Sequence, residues 1–311
     1  MKTAIMFSGQ GAQYPGMMGD IFENYPQVKD IFDAAERVLK RNIYELSMAA
    51  APAELNRTQN TQPCLLACEL AAFQVFQTCG LGYEAALGFS LGEWAALVAS
   101  GAACAEDVLR AIGARAGAMQ RAVPPDEGGM AVILGKDAEF VSQLCSSIGG
   151  ITPANYNCPG NITVSGTSAA IQTLLRRAEE EKLMVNPVAV SIPSHCALME
   201  PAAEELRPMI QALPLNQPEI ELVMNATGRP AAEREEIKEN LIRQLSSPVL
   251  FQQSVEYLLE KGFDTFIEIG PGKALSGMVK RTAKQAKKKI AVISFNSLAG
   301  VEEVKKLGRT V

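Results

Sequence analysis

Short unbroken apolar runs alternate along the chain with longer stripes of helical period. The run Thr3-Ala4-Ile5-Met6-Phe7 predicts a strand over 3–7, and a glycine-bearing loop follows over 8–13. Stripes spaced by three and four residues predict helices over 27–39 and 63–79, with Pro63 suited to a helix start. A strand over 85–89 passes directly into a helix over 91–100, and another helix covers 106–122. The segment 128–191 then reads as strand 130–134, helix 137–147, strands 151–156 and 161–165, helix 168–182 and strand 184–191. Its middle strands are joined by Asn157-Cys158-Pro159-Gly160, a strong turn signal. Beyond it come helix 198–212, strand 221–224, helices 234–244 and 251–261, strand 265–269, a helix after Gly272, and a last strand over 290–293.

Strands alternating with helices predict an α/β fold with a parallel sheet covered on both faces. The βαββαβ order of 128–191 is the ferredoxin-like plan. The expected architecture is therefore an α/β-hydrolase-like parallel-sheet core, residues 1–127 and 192–311, with an inserted ferredoxin-like small subdomain, residues 128–191. A cleft between the two would be the natural ligand site.

The candidate chemistry starts from Gly88-Phe89-Ser90-Leu91-Gly92. By chance alone this five-residue pattern occurs in roughly one chain in ten of this length, so the motif needs its context. That context is a strand, a serine turn and a helix, the arrangement that exposes a nucleophilic hydroxyl on a tight elbow. A helix starting there also directs its free N–H groups at the site, favouring developing negative charge. A serine nucleophile needs a base, and the chain holds a single histidine, His195. It falls where the chain leaves the predicted insert.

Arg115 is the third candidate. Its helical neighbours at three and four residues are Ala111, Ile112, Ala118 and Met119, so it lies on the inward stripe. A guanidinium there needs an anion, supplied by another part of the fold or by a ligand. Its planar fork matches a carboxylate. Serine, histidine and inward arginine together predict acyl transfer from a substrate that carries an acid group.

The remaining features narrow the class. The 311 residues carry a net charge of −5, which argues against general nucleic-acid binding. No apolar run is long enough to span a membrane, and residues 1–7 are too short for a signal peptide. Seven cysteines form no C-x-x-C pair. With one histidine they predict no metal site, and as free thiols they suit a reducing cytoplasm. A basic stretch, Lys280, Arg281, Lys284, Lys287, Lys288 and Lys289, reads either as a solvated helix end or as a docking patch for an acidic partner.

Six motifs taken in order resemble a known family. They are residues 7–13, FSGQGAQ; 88–93, GFSLGE; Arg115 with Met119-Gln120; 155–160, NYNCPG; 193–199, PSHCALM; and 268–273, EIGPGK. Together they are similar to the malonyl-CoA:acyl-carrier-protein transacylases, the discrete acyltransferases of type II fatty acid or polyketide synthesis, over residues 3–295. The resemblance implies ping-pong transfer of malonyl from malonyl-CoA to the phosphopantetheine thiol of holo acyl carrier protein. No tightly bound cofactor is implied. Ser90 is the implied nucleophile and His195 the base, acting as a dyad, with the oxyanion hole at the backbone N–H groups of Gln10 and Leu91. Arg115, Met119 and Asn155 are implied substrate contacts, and Lys280, Arg281 and Lys284 a docking patch for the acidic carrier protein. The backbone carbonyl that orients the histidine is expected at Leu250, where the family often has glutamine. Phe89 departs from the histidine often found before the nucleophile, which bears on pocket shape. The competing readings are a trans-acting acyltransferase of a polyketide synthase and an acyl hydrolase. Arg115 counts against the hydrolase, since a plain acyl ester offers it no anion.

Overall fold

The structure, a computed structural model, describes residues 1–124, 126–188, 190 and 192–309. Its strands in chain order are β1 (Thr3–Phe7), β2 (Ala85–Gly88), β3 (Gly128–Leu134), β4 (Ile151–Cys158), β5 (Asn161–Thr167), β6 (Met184–Pro187), β7 (Glu221–Met224), β8 (Arg229–Pro230), β9 (Thr265–Ile269) and β10 (Ala291–Phe295). They form a six-stranded sheet of order β10-β9-β1-β2-β7-β8 and a separate four-stranded sheet of order β4-β5-β3-β6. The larger sheet is parallel from β10 to β7, and β8 turns back antiparallel at its edge.

Strand β1 is apolar throughout because it lies inside this sheet with helices on both faces. Its alternate residues enter different cores: Ile5 and Phe7 join one cluster, Ala4 and Met6 another. That is the period-two geometry of a strand applied to a doubly covered sheet. The smaller sheet is antiparallel and packs its own core, including Ala131, Ile133, Val141, Ile162, Val164 and Leu174. Its βαββαβ order and its strand order are those of the ferredoxin-like plan. One short parallel bridge, Asn155 to Val249, ties β4 to the larger part of the molecule. The Tyr156 N–H donates to the Val249 carbonyl and the Val249 N–H to the Ala154 carbonyl.

Several elements differ from expectation. The helix expected from Pro63 begins five residues earlier, spanning Thr58–Gln77 with Pro63 inside it. Proline leaves the carbonyl four residues back without its helical donor; that carbonyl is Gln59's, and the Arg41 guanidinium donates to it at 3.1 Å. The strand expected over 184–191 ends at Pro187, although Val188 still donates its N–H to the Met130 carbonyl; Ala189 and Ser191 lie outside the described residues. A helix at Leu298–Gly308 follows the strand expected to be last. Three further helices, Gly19–Asn24, Ile43–Ala49 and Pro52–Leu55, are each too short to print a helical period.

Candidate active site

Strands β1 and β2 run side by side with Phe7 opposite Gly88, so the loops leaving their carboxyl ends emerge together. This is where open parallel sheets bind ligands. One loop carries Gln10 and the other carries Ser90. Ser90 has φ +54°, a left-handed conformation that costs a non-glycine residue about 1–3 kcal/mol. Both glycines of the motif are needed for close approach. A Cβ on Gly88 would lie 1.9 Å from the Gly92 backbone, and one on Gly92 would lie 2.3 Å from the Phe7 carbonyl oxygen. Asn225, at the end of β7, holds the turn: its Oδ1 accepts the Ser90 N–H and its Nδ2 donates to the Gly88 carbonyl, both at 2.6 Å.

Ser90 Oγ lies 2.8 Å from His195 Nε2, and His195 Nδ1 lies 2.7 Å from the Gln244 carbonyl oxygen. A carbonyl only accepts, so Nδ1 carries the hydrogen and Nε2 presents its lone pair to the serine hydroxyl. Burial pushes the imidazole down to about 4; the Gln244 carbonyl opposes this, and the Arg115 charge adds to it. The ring is therefore neutral and able to act as a base at neutral pH. The expectation at Leu250 is corrected here. Its carbonyl accepts from the Ser254 N–H as part of the next helix, and the glutamine with the orienting carbonyl stands at 244.

Arg115 is 1% exposed. Its Nη1 donates to Gln62 Oε1 at 2.7 Å, and its Nη2 to Gln244 Oε1 at 2.9 Å and to Ser90 Oγ at 3.2 Å. Its Nε–H has no partner among the described residues. Burial lowers its pKa to about 10, opposed by Glu93, so it stays charged. All its bonded partners are neutral. The acid that acts on it, Glu93, is fully buried and reaches it through the Gln244 side chain.

A cavity of about 110 Å³ opens over Ser90, lined by Gln10, Leu91, Arg115, Met119, Asn155 and His195 among others. The seven residues expected at the reacting centre thus meet in one place, with Met130 and Thr163 of the smaller sheet forming part of the wall. Phe89 lines it too and packs edge-on against Phe251, ring centres 5.5 Å apart. Arg281 and Lys284 line a different groove of about 730 Å³ between the smaller sheet and the Phe251–Glu260 and Ala274–Gln285 helices, with Lys136 also in its wall. Lys280 is exposed on the same helix but does not line that groove. Asn225, Gln244, Gln62 and Glu93 were missed from sequence; only Glu93, inside the 88–93 motif, had a signal that could have drawn attention. No group of three or more His, Cys, Asp or Glu placed to hold a metal occurs among the described residues, and no helix there is long and apolar enough to cross a membrane.

A buried histidine paired with a serine on a strained elbow, beside a guanidinium, defines an acyl-transfer site on an α/β sheet. The chain belongs to the acyl transferase family, whose domain model matches residues 5–302. It is 39% identical over 291 residues to the malonyl CoA-acyl carrier protein transacylase of Bacillus subtilis strain 168, covering 92% of each chain. It is 37% identical over 309 residues to the protein of the same name in Staphylococcus aureus strain MW2, covering 98% of this chain and 97% of the other. Among solved structures, an acyl carrier protein S-malonyltransferase from Vibrio cholerae superposes with TM-score 0.92 at 36% identity, covering 98% of this chain and 100% of the other. A malonyl-transacylase solved with its type II polyketide acyl-carrier protein superposes with TM-score 0.94 at 33% identity, covering 99% and 100%.

Proposed function

We propose that this protein transfers the malonyl group of malonyl-CoA to the phosphopantetheine thiol of acyl carrier protein, supplying fatty acid synthesis. Ser90 Oγ attacks the thioester carbonyl carbon while His195 Nε2 takes its proton. The backbone N–H groups of Gln10 and Leu91 receive the oxyanion. Collapse breaks the carbon–sulfur bond, and the departing CoA sulfur takes the proton from His195, leaving a malonyl-serine ester. The carrier thiol then enters, passes its proton to His195 and attacks the ester; the serine oxygen leaves and recovers that proton. Nothing is oxidised or reduced, so no resident cofactor is required.

Arg115 holds the malonyl carboxylate, with Met119 and Asn155 shaping the wall around it. Segment 128–191 serves as a small subdomain closing the cleft. The carrier protein docks on the groove bearing Arg281 and Lys284, with Lys280 on its approach. The cytoplasm suits the free cysteines, which stay reduced there.

The observation that carries the reading is a buried, charged guanidinium hydrogen-bonded to the nucleophile itself. A simple acyl group gives it no anion. The test is Arg115→Ala with malonyl-CoA and acetyl-CoA, reading the acylated protein by mass. Losing a charge-bearing partner costs about 2–5 kcal/mol, so malonyl loading should fall by roughly 30-fold or more beyond any fall in acetyl loading. Equal losses for the two acyl groups would overturn the carboxylate role.

A further inference from the structure

Glu93 is completely buried beneath the elbow, and the transfer chemistry above does not use it. Its Oε1 accepts the Asn225 N–H, and its Oε2 accepts Gln244 Nε2 at 2.7 Å. The same amide nitrogen also donates to the Ser90 carbonyl at 2.8 Å, while its Oε1 accepts from Arg115 Nη2 at 2.9 Å. Among the described residues no ion pair joins Glu93 to Arg115. A single neutral amide stands between acid and cation, and it touches the nucleophile's backbone on the way.

We propose that Glu93 is a specificity-determining positioning residue whose charge, relayed through the Gln244 amide, sets how strongly Arg115 draws the carboxylate of an acyl group. The inference rests on the reading that Arg115 holds such a carboxylate. An ionised Glu93 offsets the guanidinium and repels a second anion brought beside it. A neutral Glu93 leaves the guanidinium charge unopposed. Between two buried groups this choice is felt over several ångströms. The groups facing Glu93 are Asn225 at the end of β7, Gln244 on the Arg234–Ser246 helix and Arg115 on the Ala105–Ala122 helix; only the last is charged. His195 beyond them is neutral in the same range. Burial raises the carboxyl of Glu93 to about 8, against the pull of Asn225, Gln244 and Arg115, so both charge states are within experimental reach.

The test measures kcat/KM for malonyl-CoA and acetyl-CoA from about pH 6.5 to about pH 8.5, below the range in which Arg115 itself loses its proton, in the wild type and in Glu93→Gln. The ratio of the two cancels the titration of His195 and the shared thioester chemistry. In the wild type the malonyl-to-acetyl ratio should fall as pH rises through the ionisation of Glu93, on the order of tenfold. In Glu93→Gln, which carries amide hydrogens where the carboxyl proton would sit, the ratio should not change with pH. A flat wild-type ratio, or the same fall in both proteins, overturns the proposal. The wild-type series needs no variant and decides the matter if Glu93→Gln does not fold. Failure of the underlying reading looks different: Arg115→Ala would then lose both acyl groups equally, whereas a selective malonyl loss beside a flat wild-type ratio removes the role of Glu93 alone.

Discussion

Asn225→Ala tests whether the nucleophile elbow is a strained turn held by one side chain. Asn225 is 1% exposed and bonds both sides of Ser90, taking the Ser90 N–H and donating to the Gly88 carbonyl. Truncation orphans one buried donor and one buried acceptor, each worth about 1–3 kcal/mol. If the turn kept its shape, the loss would be about 2–6 kcal/mol. The turn has an alternative, since Ser90 can leave its φ of +54° and recover the roughly 1–3 kcal/mol of strain stored there. The expected net destabilisation is therefore about 1–3 kcal/mol, accompanied by loss of the 2.8 Å serine–histidine contact. Urea unfolding measures the first effect, and a single-turnover burst of serine acylation measures the second. The burst rate should drop at least tenfold, because a displacement of about 1 Å at a reacting atom costs on the order of a hundredfold. Asn225→Asp is the sharper control. It keeps an acceptor for the Ser90 N–H but sets an oxygen against the Gly88 carbonyl, so it should also be impaired. A variant with wild-type unfolding and a wild-type burst would refute the idea that the side chain holds the elbow.

Two further outcomes follow from the charges. The acid limb of kcat/KM should bend near pH 4 rather than near the ordinary histidine value of 6.5, since burial depresses His195; a bend near 6.5 would mean the ring is solvated. With the native pKa lowered, the unfolded chain takes up the proton first, so stability present above about 6.5 is lost as pH falls toward 4. Relative to His195→Gln that loss should reach about 3 kcal/mol. Charge reversal of Arg281 and Lys284, which line the groove beside the smaller sheet, should raise the KM for an acidic carrier protein and weaken its salt dependence. The acylation half-reaction with malonyl-CoA should be unaffected, and an unchanged carrier KM would place docking elsewhere.

The parts of this fold that were legible are those whose signal is local. Strands 3–7, 221–224 and 265–269 coincide with β1, β7 and β9 because buried apolar runs ended by turns leave little choice. Ser90, His195 and Arg115 could be singled out because each is conspicuous: a motif, a sole histidine, a charge on an apolar stripe. The framework behind them was hidden. Gln62, Asn225 and Gln244 are neutral amides, side chains ordinarily found on the surface, and their partners lie 53, 135 and 129 residues away in sequence. The Thr58–Gln77 helix shows how one local error spreads. Starting it at Pro63 leaves Gln62 in a loop, whereas its true start puts Gln62 on a buried turn, facing Arg115. The placement of the orienting carbonyl at Leu250 failed for a similar reason: a backbone contact leaves no side-chain signature, and position alone misplaced it by six residues.

The most informative geometry is at the end of the Arg234–Ser246 helix. The last carbonyls of any helix lack partners within it and carry the negative end of its dipole. Here His195 takes up two of them: its N–H donates to the Leu245 carbonyl at 3.1 Å and its Nδ1–H to that of Gln244 at 2.7 Å. His195 is itself left-handed, φ +63°, and these two bonds are what hold it so. A helix C-terminus then does what the carboxylate does in a serine–histidine–aspartate triad. It fixes the tautomer, aims the ring and favours the imidazolium that forms while the proton is in transit, an effect worth up to about 2 kcal/mol in partly buried geometry. The arrangement adds no full negative charge beside the histidine. An aspartate there would compete with the acyl carboxylate for the field of Arg115, whose guanidinium already touches Ser90 Oγ. A site that must hold an anionic acyl group close to its base thus has a physical reason to orient that base with peptide dipoles.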